Sequence, residues 1–232
     1  MTGGGRLVVF DLDGTLIDSL PDMAAAVEDL LNSYGMPSPD AAAVRTMIGD
    51  GVAALVERAL AWSESRNPEA PPAIDRVEAT SRFMALYSPR ATKLSQPFPR
   101  TRAVLELLRK HDWNLAVCTN KPEAAARTIL EEFELAPLFD AIGGGDSFPT
   151  RKPDPGHLLG VIDRAGGTAH RTVMVGDHAN DIRAAAGAGT SSIFAEWGYC
   201  SIDSGAGATY CATKIDDVPA AATDIEARWL PT

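Results

Sequence analysis

Cysteine is scarce in this chain, with three residues among 232: Cys118, Cys200 and Cys211. Their spacing suits no metal site, and an odd, scattered set argues against a disulfide framework. Cys118 sits inside the apolar run Leu115-Ala116-Val117-Cys118, where a buried strand thiol is a better reading than a nucleophile. Long apolar stretches are missing too. None approaches the about 20 residues that a membrane helix needs, so the chain reads as soluble. Positive charge is in deficit, with 21 Lys and Arg against 31 Asp and Glu and a formal net charge of −10. That balance repels nucleic acid and anionic membranes, and neither is expected as a partner. It also disfavours an anionic ligand at long range, so a site for one must be built locally. No signal-peptide pattern precedes the apolar run at Leu7, and the expected location is cytoplasmic. There is no internal repeat and no low-complexity tract.

What the sequence does contain is a regular alternation. Leu7-Val8-Val9-Phe10 reads as a strand stopped by the turn signal Asp11-Leu12-Asp13-Gly14. Further strand-like runs lie at Leu115 to Cys118, Ala141-Ile142, Thr172 to Val175, Ser192 to Ala195 and Ala208 to Ala212. Continuous apolar runs suit strands buried on both faces of a parallel sheet. Helical patterns separate most of them. Thr101 to Lys110 carries Val104, Leu105, Leu107 and Leu108, while Pro122 to Phe133 and Pro155 to Ala165 each open with proline at a first helical position. The expected fold is α/β, a doubly wound, Rossmann-like parallel-sheet core.

An α-helical insertion follows the first strand. Val27, Leu30, Leu31 and Tyr34 fall at i, i+3, i+4 and i+7, with Gly35 as the terminating residue. Ser38-Pro39 reads as the start of a helix carrying Val44, Met47 and Ile48. Val52, Leu55, Val56, Ala59 and Leu60 form a third stripe. Ile74 to Leu86 forms a fourth, after the proline-rich break at Pro68, Pro71 and Pro72. The expected division is a catalytic core of 1–18 and 93–232 with a cap domain of 19–92. Ligands of open α/β sheets bind outside the carboxyl ends of the strands. An insertion just past the first strand is therefore expected to act as a lid, with hinges near Ile17 to Ser19 and Ser88 to Thr92.

The chemistry-bearing residues sit at the strand ends. Asp11 and Asp13 are two apart, so on an extended chain both carboxylates can face one site. Such a pair can divide the work between nucleophile and proton carrier. Read alone, the segment is equally an Asp-Gly turn. Asp177 follows the strand Val173-Met174-Val175, and Asp181 comes one helical turn later. Alone, that pair also suits a helix N-terminus. Four acidic groups at one set of strand ends need a cation, and carboxylate oxygens suit Mg²⁺. Lys152, in Arg151-Lys152-Pro153-Asp154-Pro155, can hold a phosphate or neutralise aspartates, or be a solvated surface lysine. Thr119-Asn120 precedes a helix and can cradle an anion or simply cap that helix.

Taken in order, Asp11-Leu12-Asp13-Gly14-Thr15, Thr119-Asn120, Lys152 and Gly176-Asp177…Asp181 resemble the four motifs of the haloacid dehalogenase superfamily. Within it the chain most resembles bacterial phosphoglycolate phosphatases. Similar stretches include Asp18-Ser19-Leu20-Pro21-Asp22, Ile48-Gly49-Asp50-Gly51, Ala116 to Pro122, Gly144-Gly145-Asp146-Ser147 and Trp197-Gly198-Tyr199. The resemblance implies a Mg²⁺-dependent phosphomonoester hydrolase working through a phospho-aspartate, acting on 2-phosphoglycolate to give glycolate and phosphate. It implies Asp11 as nucleophile and Asp13 as general acid and base. Asp11, the Asp13 carbonyl and Asp177 would ligate Mg²⁺ with Asp181 in support. Thr119, Asn120 and Lys152 would bind the phosphoryl group. Two departures stand out: His178 replaces the more usual serine, and Phe98-Pro99-Arg100-Thr101 replaces the usual Tyr-Pro-Gly-Val.

Related readings remain. A phosphatase of sugar phosphates or pyrophosphate would use the same motifs, and a sugar phosphomutase would keep Asp13 but usually carries serine where this chain has Thr119-Asn120. A dehalogenase would lack Asp13, and a Schiff-base hydrolase would need a cap lysine, which Thr2 to Thr92 does not contain. A catalytically silent binding protein on this fold would not need every charged motif residue. Arg45, Asp50 and His178 are the candidates for substrate specificity. The expected partner is a small phosphorylated metabolite, and the chain is a monomer or a homodimer.

Overall fold

The computed structural model describes residues 5–66 and 74–229. The first four residues and the proline-rich break at Pro68, Pro71 and Pro72 lie outside the described residues. In chain order the elements are β1 (Leu7–Phe10), β2 (Ile17–Asp18), α1 (Leu20–Asn32), α2 (Ala41–Arg45), α3 (Val52–Glu64) and α4 (Arg76–Tyr87). Then come β3 (Gln96–Pro97), α5 (Thr101–Lys110), β4 (Asn114–Cys118), α6 (Glu123–Glu132), β5 (Ala141–Gly143) and α7 (Pro155–Arg164). The chain finishes with β6 (Thr172–Gly176), α8 (Ala179–Ala188), β7 (Ser191–Ala195), β8 (Tyr210–Ala212) and α9 (Val218–Glu226). It divides into two compact units, Met1–Ile17 with Pro97–Thr232, and Asp18–Gln96.

The first unit is built on a parallel sheet with strand order β5-β4-β1-β6-β7-β8. All four residues of β1 are fully buried, as the unbroken apolar run requires of a strand covered on both faces. Burying each such side chain contributes about 1.5–3 kcal/mol, so the sheet, rather than any one polar contact, holds the strand ends in place. Helices α7 and α8 pack on the face that carries Leu7, Val9, Ala116, Cys118 and Met174. Helices α5 and α9 pack together and reach β4, β7 and β8. Because Phe10 pairs with Val117 on one side and Val175 on the other, Asp11 leaves the sheet level with Cys118 and Gly176, the last residues of β4 and β6. The chain runs from β1 to β4 and β5, then returns to β6 on β1's other side, which makes the β1/β6 crevice a topological switch point.

Sequence pattern and structure part at several edges. In α5, Val104, Leu105 and Leu108 are buried, but Leu107 faces outward at 42% exposure. Pro155 opens α7 behind the Asp154 cap, whereas Pro122 is itself the residue before α6. Strand β8 is shorter than the Ala208 to Ala212 run. There the Thr209 hydroxyl accepts from Ser192 N (3.0 Å) and Ser192 Oγ accepts from Thr209 N (3.3 Å), so side chains replace the ladder.

The second unit is helical. Helix α1 buries Val27, Leu30 and Leu31 and ends before Tyr34. Gly35 takes a left-handed φ of +68°, while Met36 N returns to Leu31 O at 3.0 Å. Helix α2 starts two residues after the expected Ser38-Pro39, because the Asp40 carboxylate caps it by accepting from Ala43 N at 2.8 Å. It ends at Arg45, so Met47 and Ile48 are buried from the loop beyond. Buried Asp22 accepts from Leu94 N (2.9 Å), Ser95 N (2.7 Å) and the Ser95 hydroxyl (2.7 Å), tying the unit's entry to its exit. No described helix is long and apolar enough to cross a membrane.

Candidate active site

Asp11 leaves β1 with its N–H on Val175 O (2.8 Å) and its Oδ1 accepting from Leu12 N (2.7 Å). Across the crevice, Asp177 Oδ1 accepts from the Thr15 hydroxyl (3.0 Å) and Oδ2 from Tyr199 N (2.7 Å). Asp181, in the first turn of α8, accepts from His178 N at 3.0 Å. Oxygens of Asp11, Asp177 and Asp181 lie within 4.8 Å of one another, and all three residues are buried. Backbone without side chains makes the room: a Cβ at Gly14 or Gly198 would collide with the Asp177 side chain.

Lys152 is the counter-charge. Its Nζ lies 2.9 Å from Asp11 Oδ1 and donates to Asp181 Oδ1 and Cys118 O, both at 2.6 Å. Burial alone would lower this ammonium's pKa, but the Asp11 and Asp181 charges outweigh it and raise the value. The loop is held from behind: Asn120 Nδ2 donates to Lys152 O (2.9 Å), and Lys152 N donates to His157 Nδ1 (3.2 Å). Burial, reinforced by the Lys152 charge, brings the His157 imidazole down to about 4, so it stays a neutral acceptor. Thr119 is buried beside this loop, and its hydroxyl accepts from Lys121 N at 3.2 Å.

The remaining acidity asks for a cation. Burial pushes the Asp177 carboxyl up to about 8, with the Asp11 and Asp181 charges adding to it. Burial likewise raises Asp181, against the pull of Lys152. Fully ionised, the three carboxylates carry two more negative charges than Lys152 balances, and a donor set made only of oxygens fits a hard divalent ion such as Mg²⁺.

The Asp13 carboxylate does not join this cluster among the described residues. It is paired with Lys121, whose Nζ donates to its two oxygens at 3.0 and 2.9 Å. Sequence pattern assigns Lys121 no role. Its one signal is its place directly after Thr119-Asn120, at the end of the strand beside β1. Thr15 is visible in sequence only as a motif letter, although it holds Asp177, and Trp197 Nε1 fixes the Thr15 carbonyl at 3.0 Å.

The haloacid dehalogenase-like hydrolase family matches residues 8–195. The chain belongs to that family. It is 39% identical over 194 residues to a phosphoglycolate phosphatase of Vibrio cholerae, covering 84% of this chain and 85% of the relative. A phosphoglycolate phosphatase of Pseudomonas putida is 40% identical over 194 residues, covering 84% of this chain and 70% of the relative. Among solved structures, a predicted phosphoglycolate phosphatase of Haemophilus somnus superposes with a TM-score of 0.87 at 30% identity, covering 95% of this chain and 99% of that one.

In this haloacid dehalogenase-like hydrolase Cys118 is a fully buried strand thiol, which burial pushes up to about 12. His178 caps α8, its Nδ1 accepting from Asn180 N at 3.1 Å while its own N–H meets Asp181. Arg100 precedes α5 and pairs with Asp216 at 3.1 Å. Of the cap candidates, Asp50 is engaged by Arg58 within the helical unit, and Arg45 is exposed at the end of α2.

Proposed function

We propose that this chain is a Mg²⁺-dependent phosphatase that forms a phospho-aspartate on Asp11, with 2-phosphoglycolate as its substrate. The observation that carries the reading is the placement of Asp11. It is a strand-end carboxylate 2.9 Å from a buried ammonium, within 4.8 Å of two further buried carboxylates. Phosphoryl transfer asks for this kind of site, one of positioning and charge stabilisation rather than reactive side chains. The substrate assignment rests on the phosphoglycolate phosphatases to which the chain is 39% and 40% identical.

In this mechanism an Asp11 oxygen attacks phosphorus in line with the bridging ester oxygen. Asp13 enters the reaction protonated, in place of the carboxylate form that pairs with Lys121, and gives that proton to the bridging oxygen as the P–O bond breaks and glycolate leaves. Asp13 then takes a proton from the water that attacks the phospho-aspartate, returning Asp11 and phosphate. Lys152 and Thr119 hold phosphoryl oxygens, and Asn120 fixes the Lys152 loop through its 2.9 Å hydrogen bond as well as facing the phosphoryl group. When bound, Mg²⁺, held by Asp11, the Asp13 carbonyl and Asp177 with Asp181 in support, supplies charge neutralisation for the carboxylates and the phosphoryl group. The helical unit, entered at β2 and left at β3, is assigned the role of a lid.

The test is phosphate release from 2-phosphoglycolate, a hexose phosphate, a nucleoside monophosphate and pyrophosphate, each with Mg²⁺ and with EDTA. The expected result is Mg²⁺-dependent release with the highest kcat/KM on 2-phosphoglycolate. Preference for another substrate would remove the substrate assignment, and release from none would remove the reaction.

A further inference from the structure

The site contains two buried lysines, and they are placed differently. Lys152 sits on Asp11 and Asp181, where the phosphoryl group is to be bound. Lys121 sits on Asp13, in contact with both of its oxygens at 2.9 and 3.0 Å. Its side chain is only 5% exposed and that of Asp13 12%. The backbone of Lys121 is pinned on both sides, its N–H on the Thr119 hydroxyl at 3.2 Å and its carbonyl accepting from Gly145 N at 2.8 Å. The ammonium is thus held against Asp13 by the ion pair, on a backbone that is itself fixed.

That location has a chemical meaning. Asp13 donates to the bridging oxygen in the proposed mechanism, so the leaving group lies against Asp13 and beside Lys121. A leaving group that bears a carboxylate one carbon from the bridging oxygen places that carboxylate within reach of the ammonium. We infer that Lys121 reads the carboxylate of the substrate, selecting phosphoesters whose alcohol is a short 2-hydroxy acid over those with a neutral alcohol. The inference rests on the phosphoglycolate assignment and supplies the residue that makes it selective. A partly desolvated ammonium gains from a second anionic partner, whereas a neutral alcohol offers it none. In a chain of net charge −10, each end of such a substrate then has its own buried lysine to meet within the site.

The test compares 2-phosphoglycolate with 2-hydroxyethyl phosphate, in which a neutral CH₂OH replaces the carboxylate, on the wild-type enzyme, Lys121→Met and Lys121→Arg with Mg²⁺. The ratio between the two kcat/KM values does not depend on how much of a preparation is folded. Lys121→Met is expected to lower that ratio about ten- to hundredfold, mainly by weakening the binding that KM reports for the carboxylate substrate, and Lys121→Arg to retain most of it. If Lys121→Met slowed both substrates equally and left the ratio unchanged, Lys121 would be a support for Asp13 alone and the inference would fall. A wild-type enzyme that showed no preference for 2-phosphoglycolate would instead overturn the substrate assignment, and the inference with it. For a variant too slow to assay, thermal-shift titration with 2-phosphoglycolate against inorganic phosphate reads the same discrimination. Loss of the extra shift supports the inference, and its retention contradicts it.

Discussion

Asp177 is enclosed by protein on every side, with the Thr15 hydroxyl and Tyr199 N–H as its donors and two more carboxylates within 4.8 Å. Burial and the Asp11 and Asp181 charges bring it to about 8 against the pull of its two donors, compared with an ordinary carboxyl value near 3.8. A carboxyl raised by folding contributes stability that is fully present below about pH 4 and is lost as the pH rises through about 8. A divalent cation competes with that proton and has most to offer where the proton has left. In EDTA the melting temperature is therefore expected to fall between about pH 6 and about pH 8.5, and the Mg²⁺-induced rise to be larger at the upper value. An equal Mg²⁺ shift at both would contradict the proposed ligand set. Much of this was legible in sequence, because Asp11, Asp177 and Asp181 each follow an apolar strand at a spacing that aims them one way. The Lys121–Asp13 pair was not, because a single lysine in a loop has no periodicity to betray its partner.

The start of α5 carries backbone strain. Arg100, directly before the helix, has φ +73° and ψ −1°, the left-handed region that glycine enters without a Cβ penalty and arginine does not. The family pattern that this chain resembles carries glycine there. Arginine's compensation is an ion pair with Asp216 in which both side chains are solvated, and such pairs contribute little. Arg100→Gly is expected to stabilise the protein by about 1 kcal/mol, read as a raised urea midpoint with unchanged slope. A lower midpoint would show that the Asp216 contact outweighs the backbone strain. Strands and long helices were readable because both faces of the sheet and one face of each helix are apolar. Element ends were less so: Asp40 rather than Ser38 caps α2, and Thr209 and Ser192 exchange side-chain bonds where β8 was expected to begin. Both are local polar choices between neighbouring candidates, and an apolar pattern does not register them.

At the scale of the molecule, the register of β1 against β4 and β6 is what turns distant motifs into one site. Asp11, Thr119 and Asp177 follow three adjacent strands whose ends lie within one residue of one another, and Lys152 reaches in from the loop before α7. The parallel, doubly wound sheet was legible from the alternation of apolar runs and amphipathic helices. The pairing of Lys121 with Asp13, rather than with the other aspartates, depends on loop paths that only the assembled fold supplies. Everything in the proposed reaction turns on Asp11 as the group that takes the phosphoryl. The most direct measurement of that role is Mg²⁺-dependent turnover by Asp11→Asn beside the wild-type enzyme, with 2-phosphoglycolate as substrate and melting curves to confirm that both proteins are folded. Asp11→Asn is expected to be folded, with turnover lower by about ten-thousandfold or more. Turnover near the wild-type rate would contradict that role.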